Sequence, residues 1–136
     1  MTLELVPLCE IDFVLADPIV VGDGPRGTRM IFEVVSAAVT GERLKGHLRG
    51  DAAADWLTIA GTVGTLDVRA TFETDDGAII YSSYLGRTDL TVPGVIYVAP
   101  TFETGDERYA WLNSIQAVGK GTLDGSSLHY EWYELR

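Results

Sequence analysis

Hydrophobic and polar residues alternate with a period of two along most of this chain. No window carries apolar residues at i, i+3, i+4 and i+7 over the roughly ten positions that a confident helix needs. The clearest run covers residues 65–73, where Leu66, Val68, Ala70 and Phe72 share one face and Asp67, Arg69, Thr71 and Glu73 the other. Thr74-Asp75-Asp76-Gly77 follows, and residues 78–85 then alternate again. An Asp-Gly pair between two such runs predicts a β-hairpin. The same pattern predicts strands over 3–15 (interrupted near Pro7), 29–39, 44–48, 56–59, 95–103, 109–118 and 128–135, about nine in all.

Glycines fall mostly between these runs, where turns and bulges need unusual backbone angles. Many short strands with regular turns predict an all-β fold, a single-domain antiparallel β-barrel over residues 1–136, with a sandwich as the other solution. The one helical feature expected is a turn at residues 51–55, with Asp51 capping three alanines. Thr-Phe-Glu-Thr occurs twice, at 71–74 and 101–104, a short internal repeat. No low-complexity tract or charge block marks a linker.

Composition narrows the function classes. The 136 residues are 46% hydrophobic, enough for a continuous core, and carry a formal charge of −10. That charge repels phosphate backbones and anionic membrane faces, so no nucleic-acid or membrane partner is expected. No basic segment leads into an apolar one, and no run approaches the roughly 20 apolar residues of a membrane helix, so a cytoplasmic location is expected. Cys9 is the single cysteine, which rules out an internal disulfide and reads as a small buried apolar residue.

Gly22-Asp23-Gly24-Pro25-Arg26-Gly27 has the spacing G-x-G-x-x-G, but a β-like segment follows it, Pro25 lacks an amide hydrogen and Asp23 would repel phosphate. It reads as an inter-strand loop. His47 and His129 are far apart in sequence and Asp75 and Asp76 suit a turn, so neither a metal site nor a cofactor is expected. Nucleophile elbows, Walker loops, HExxH and CxxC are missing.

The residues left with chemical potential are few. Asp67 and Arg69 share a strand face and could hold each other's charge while one meets a ligand; the alternative is an outward, solvated ion pair. Tyr109, Trp111 and Asn113 would share a face if 109–118 is a strand, and aromatic side chains along the strands can line a pocket or fill a core.

Several of these segments together resemble a known family. Gly41-Glu42-Arg43-Leu44-Lys45-Gly46, Ala54-Asp55-Trp56, Leu66-Asp67-Val68-Arg69, residues 74–81, Phe102-Glu103-Thr104 and residues 109–113 are similar, in order and spacing, to the domain of unknown function 3237, also called uncharacterised protein family 0311. The chain departs from that pattern at Ser36-Ala37-Ala38 and at Gly50-Asp51-Ala52-Ala53. The resemblance implies a lipocalin-like β-barrel that often self-associates, so a homo-oligomer is expected. It implies no established activity. It places Asp55, Trp56, Asp67, Arg69, Thr74, Asp76, Trp111 and Asn113 at signature positions.

The reading that combines these observations is a small-molecule pocket inside the barrel, lined by apolar and aromatic side chains, taking a small apolar or aromatic molecule. Asp67 and Arg69 are the expected catalytic or polar pair. Asp55, Trp56, Thr74, Asp76, Tyr109, Trp111 and Asn113 are the expected ligand-binding residues. A cofactor-independent isomerase, hydratase, dehydratase or cyclase, with Asp67 as acid or base and Arg69 stabilising negative charge, is one alternative. An interaction module with a side-chain-filled barrel is the other. Which strand faces point inward is not fixed by alternation alone.

Overall fold

The computed structural model describes residues 1–136. It contains eleven strands, all antiparallel: β1 (Leu5–Leu15), β2 (Ile19–Gly24), β3 (Gly27–Thr40), β4 (Gly46–Leu48), β5 (Ala54–Ala60), β6 (Val63–Thr74), β7 (Ile79–Asp89), β8 (Val95–Val98), β9 (Thr101–Glu103), β10 (Ala117–Asp124) and β11 (Ser127–Leu135). Pairing runs β1–β3–β5–β6–β7–β8–β10–β11 and returns to β1, so eight strands close a barrel. Closure leaves these strands without free edges. β4 fits between β3 and β6 where β5 has stopped, and β9 carries the line of β8 past Pro100 along β7.

The predicted hairpin is the longest ladder in the molecule. β6 and β7 pair from Val63↔Asp89 to Glu73↔Ile79, and Gly77 takes φ +93°, a backbone angle that glycine adopts without strain. Inside the turn, the Thr74 hydroxyl donates to Asp76 at 2.6 Å and accepts from the Ala78 amide at 2.8 Å. Alternation on β6 is as expected: Leu66, Val68, Ala70 and Phe72 are buried, with Asp67 and Arg69 exposed between them.

Three local expectations are corrected. Residues 107–114 form a 3-10 helix instead of starting a strand, because the Asp106 carboxylate caps the Arg108 amide at 3.0 Å and Asn113 ties the other end back to Thr104. The strand begins only at Ala117. Ile19–Gly24 forms β2, hairpinned to β3 through the glycine-rich loop, a strand too short to stand out between Pro18 and Gly22. Residues 51–53 make no helical turn, and Ala54 already belongs to β5.

The barrel has one closed end and one open end. Around the β6–β7 turn, the interior is filled by Phe72, Ile80, Phe102 and Trp132, with Leu112 from the 3-10 helix as a plug. The rings meet edge-on or tilted: Tyr84 to Trp132 at 5.3 Å, Tyr130 to Trp132 at 5.7 Å and Phe102 to Trp132 at 5.8 Å between centroids. Room for these rings comes from β10. A Cβ on Gly119 would lie 2.4 Å from Trp132 Cδ1, and one on Gly121 would lie 2.7 Å from the Tyr130 ring. Cys9 is buried here, and burial pushes its thiol up to about 12, which leaves it unreactive. The helix at residues 107–114 is too short and too polar to cross a membrane.

Candidate ligand-binding site

At the end opposite the β6–β7 turn, the barrel interior is not filled. A cavity of about 170 Å³ lies among sixteen residues, thirteen of them hydrophobic. Its depth and its mouth follow from strand register. One inner row runs Phe32 on β3, Asp55 on β5, Val68 on β6 and Tyr84 on β7, each paired with the next. Phe13 and Tyr130 stand beside this row with their rings at 5.6 Å and 86°, and Leu90 and Leu123 are exposed lining residues. Tyr130 and Tyr84 rest on Trp132, so the filled half of the barrel is the floor of the empty half.

Asp55 is the one carboxylic acid in this lining. Its inward placement follows from alternation and register: Asp55 shares its strand face with Leu57, which also lines the cavity, and pairs with the inward Phe32 and Val68, while the β5–β6 ladder skips in unchanged register from Asp55↔Val68 to Thr58↔Thr65 and leaves Trp56 and Leu57 without partners on β6. The freed groups find other partners. The Asp67 amide donates to the Asp55 carboxylate at 3.1 Å, and Arg29 Nη1 donates to the Trp56 carbonyl at 2.9 Å. Burial pushes the Asp55 carboxyl up to about 7; the Asp67 amide and the Arg29 charge act against that rise, and the Asp67 charge adds to it.

Two hydroxyls complete the polar end. Tyr84 donates to Tyr130 at 3.4 Å, and both phenols are held above their ordinary pKa, chiefly by burial and also by the Asp55 charge. A carboxyl poised near neutrality beside two neutral phenols, in an otherwise apolar chamber, can hydrogen-bond a polar group or exchange a proton with it.

The residues expected from the sequence divide among three places. Asp55 lines the cavity. Trp56, Asp67 and Arg69 lie on the outside of the barrel, the Arg69 guanidinium 4.5 Å over the Trp56 ring. The expectation that Asp67 and Arg69 project into a pocket is therefore corrected: they alternate with Leu66 and Val68, and those apolar neighbours take the inner face. Asp67 meets the site only through its backbone amide.

Thr74, Asp76, Tyr109, Trp111 and Asn113 gather at the closed end, away from the cavity. The Tyr109 hydroxyl donates to both Asp76 oxygens at 2.9 Å, and the bond from Thr74, followed by those from Tyr109, holds the Asp76 carboxyl below its usual range. Asn113 receives the Thr104 amide at 2.8 Å and donates to the Thr104 carbonyl at 2.9 Å. Arg43 stacks 4.6 Å over Trp111 while it pairs with Glu134. These contacts fasten the 3-10 plug to the barrel. Asn113→Ala should therefore lower stability by about 1–2 kcal/mol, two hydrogen bonds at roughly 1 kcal/mol each, and leave small-molecule affinity within a factor of two. Denaturant titration beside ligand titration checks both halves.

Outside the barrel, Glu10, His129 and Glu131 bring ligand-type atoms within 4.8 Å of one another. The imidazole is already engaged there, Nδ1 with Asp12 at 2.7 Å and Nε2 with Glu10 at 3.2 Å, as a cross-strand ion-pair cluster between β1 and β11.

The sequence reasoning missed Tyr84 and Tyr130 as a pair and gave Arg29 no role. Tyr84 was legible as the inward partner of Val68 once the hairpin register was known. Tyr130 and Arg29 come from strands distant in sequence.

The family model described as "Protein of unknown function (DUF3237)" matches residues 3–135. The chain belongs to that family. A UPF0311 protein of Rhodopseudomonas palustris is 29% identical over 133 residues, covering 87% of each chain, and one of Bradyrhizobium diazoefficiens is 32% identical over 114 residues, covering 72% of this chain and 74% of the relative. Among solved structures, a beta-barrel like protein of Acinetobacter baumannii superposes with TM-score 0.90 at 28% identity, covering 100% of this chain and 98% of that one. An enzyme from Penicillium herquei superposes with TM-score 0.72 at 22% identity over 98% of this chain and 93% of that one, which shows a shared fold. The barrel fold is thus shared by bacterial and fungal proteins.

Proposed function

We propose that this DUF3237 protein binds a small, mainly apolar molecule in the open end of its barrel, with Asp55 and the Tyr84–Tyr130 pair fixing the ligand's polar group. The observation that carries this reading is the coincidence of an apolar cavity at the open end of the barrel and one half-buried carboxyl raised to about 7 within it. A carboxyl kept in such surroundings destabilises the empty protein whenever it ionises, and a ligand that hydrogen-bonds it offsets that penalty.

Thermal unfolding across a panel of small apolar and aromatic compounds tests the reading, since a ligand at 100 times its dissociation constant stabilises by about 2.7 kcal/mol. Val68→Phe, which puts a ring into the cavity, should abolish a hit. Asp67→Asn and Arg69→Ala, on the outer face, should preserve it. Loss in the outer-face variants with retention in Val68→Phe would move the site to the Trp56–Arg69 surface and overturn the proposal.

A second reading is supported by the near-neutral carboxyl together with the fungal barrel of the same fold that is described as an enzyme. In it, Asp55 transfers a proton to or from the bound molecule in a cofactor-independent isomerisation, hydration, dehydration or cyclisation, and a phenol steadies the charge that develops. Turnover of a bound compound that disappears in Asp55→Asn while binding persists would favour catalysis over binding alone.

A further inference from the structure

The cavity's size and its unused hydrogen-bonding capacity together narrow the ligand class, an inference that rests on the pocket reading above. We propose that the site takes a neutral, single-ring molecule carrying one hydroxyl, with the ring among the apolar walls and the hydroxyl between Asp55 and Tyr130. Volume sets the first limit. At about 170 Å³ the cavity barely exceeds the roughly 150 Å³ of an engineered apolar cavity that accepts benzene, so one six-membered ring and a few further atoms fill it. Phe13, Phe32, Tyr84 and Tyr130 present ring surfaces to that volume, which suits a flat ligand.

Charge sets the second limit. No lysine, arginine or histidine lines the cavity, so an anionic ligand would meet Asp55 with nothing to compensate its own charge, in a chain that already carries −10. A cation would have Asp55 as its sole charged partner and would lose its hydration to thirteen hydrophobic residues. A neutral ligand avoids both penalties.

The third limit is hydrogen-bond complementarity. Asp55 Oδ1 is occupied by the Asp67 amide, which leaves Oδ2 as an acceptor without a protein donor. Tyr84 donates to Tyr130, so the Tyr130 hydroxyl proton has no protein acceptor in this pair. One acceptor and one donor in the lining of one apolar chamber match a hydroxyl, which donates once and accepts as well. With the carboxyl ionised, a carbonyl would use only the donor. A bare hydrocarbon would use neither.

Binding of 4-methylphenol, toluene, benzoate and benzylamine to the intact protein at pH 8, where the Asp55 carboxyl is ionised, by calorimetry and by thermal shift, tests the class. The expected result is 4-methylphenol at least tenfold tighter than toluene, with no detectable benzoate binding and benzylamine weaker than 4-methylphenol. Tyr130→Phe should bring 4-methylphenol and toluene to within about threefold of each other, and the wild-type ranking stands as a test by itself if that variant fails to fold. Equal affinity for toluene and 4-methylphenol would overturn the hydroxyl inference and leave the apolar pocket standing. Tighter binding of benzoate or benzylamine would overturn the neutral class. No binding of any probe, toluene included, would overturn the pocket reading itself.

Discussion

Asp55→Asn should gain about 2.5 kcal/mol of stability on the wild type between pH 5 and pH 8. In the folded protein the Asp55 carboxyl is raised to about 7 from its ordinary 3.8, so between those values the native state holds a proton that the unfolded chain has released. The stability this proton confers is fully present below the unfolded value and is lost as pH rises through about 7. One pKa unit corresponds to about 1.4 kcal/mol, and roughly two units of the shift fall within the interval from pH 5 to pH 8. The amide of asparagine does not titrate, so it escapes the loss, and its carbonyl oxygen can still accept the Asp67 amide.

The comparison is read as a difference because a second group titrates in the same window. The Asp12 carboxylate, with help from Glu10, holds the His129 imidazole above its usual range, so its contribution is present below 6.5 and fades as pH rises through its folded value. That slope is common to both proteins and cancels. Urea unfolding of the pair at half-unit pH steps gives the curve directly. A difference independent of pH would mean that Asp55 ionises as freely as an exposed aspartate, which would remove the physical basis of both functional readings.

This prediction could not have been written from the sequence, for a reason that is visible in the strands. The barrel and its hairpin were legible because β6 and β7 alternate cleanly and Asp76-Gly77 imposes the turn between them. Asp55 was legible as a signature position, yet its direction was not. Residues 54–60 read Ala-Asp-Trp-Leu-Thr-Ile-Ala, and the rule that apolar residues face inward would send Trp56 into the core and Asp55 out to solvent. The opposite holds because Asp55 shares its face with the cavity-lining Leu57 and pairs with the inward Phe32 and Val68, while Arg29 takes the Trp56 carbonyl and Arg69 covers its ring from outside. Those compensations come from β3 and β6 and exist only once the barrel has closed.

The closed end misled in another way. Tyr109, Trp111 and Asn113 alternate as a strand would, but local hydrogen bonds from Asp106 and Asn113 stabilise tight helical turns there. Four of the signature positions, Thr74, Asp76, Trp111 and Asn113, therefore fasten a plug and line no cavity. A residue can hold its place in a motif because the floor of a site depends on it, without itself touching a ligand.

The largest loss of stability is expected where plug and pocket meet. Trp132→Ala should cost about 3–5 kcal/mol, since the ring is 1% exposed and packed between Tyr84, Tyr130 and Phe102. Part of that loss is offset, because the Trp132 indole N–H is buried without a partner and its removal relieves an unsatisfied donor. Gly119 supplies the internal control. In the wild type, Gly119→Ala forces a methyl to within 2.4 Å of Trp132 Cδ1 and 3.1 Å of Val98 Cγ2, an overpacking that should cost about 1–3 kcal/mol. With Trp132 truncated, the nearer obstacle is gone and the same methyl enters vacated space. The double variant should therefore be more stable than the sum of the two single changes predicts, by about 1–3 kcal/mol, in a denaturant double-mutant cycle. Simple additivity would mean that Trp132 does not lie over Gly119. The aromatic floor beneath Tyr84 and Tyr130 would then have a different packing, and the cavity above it a different depth.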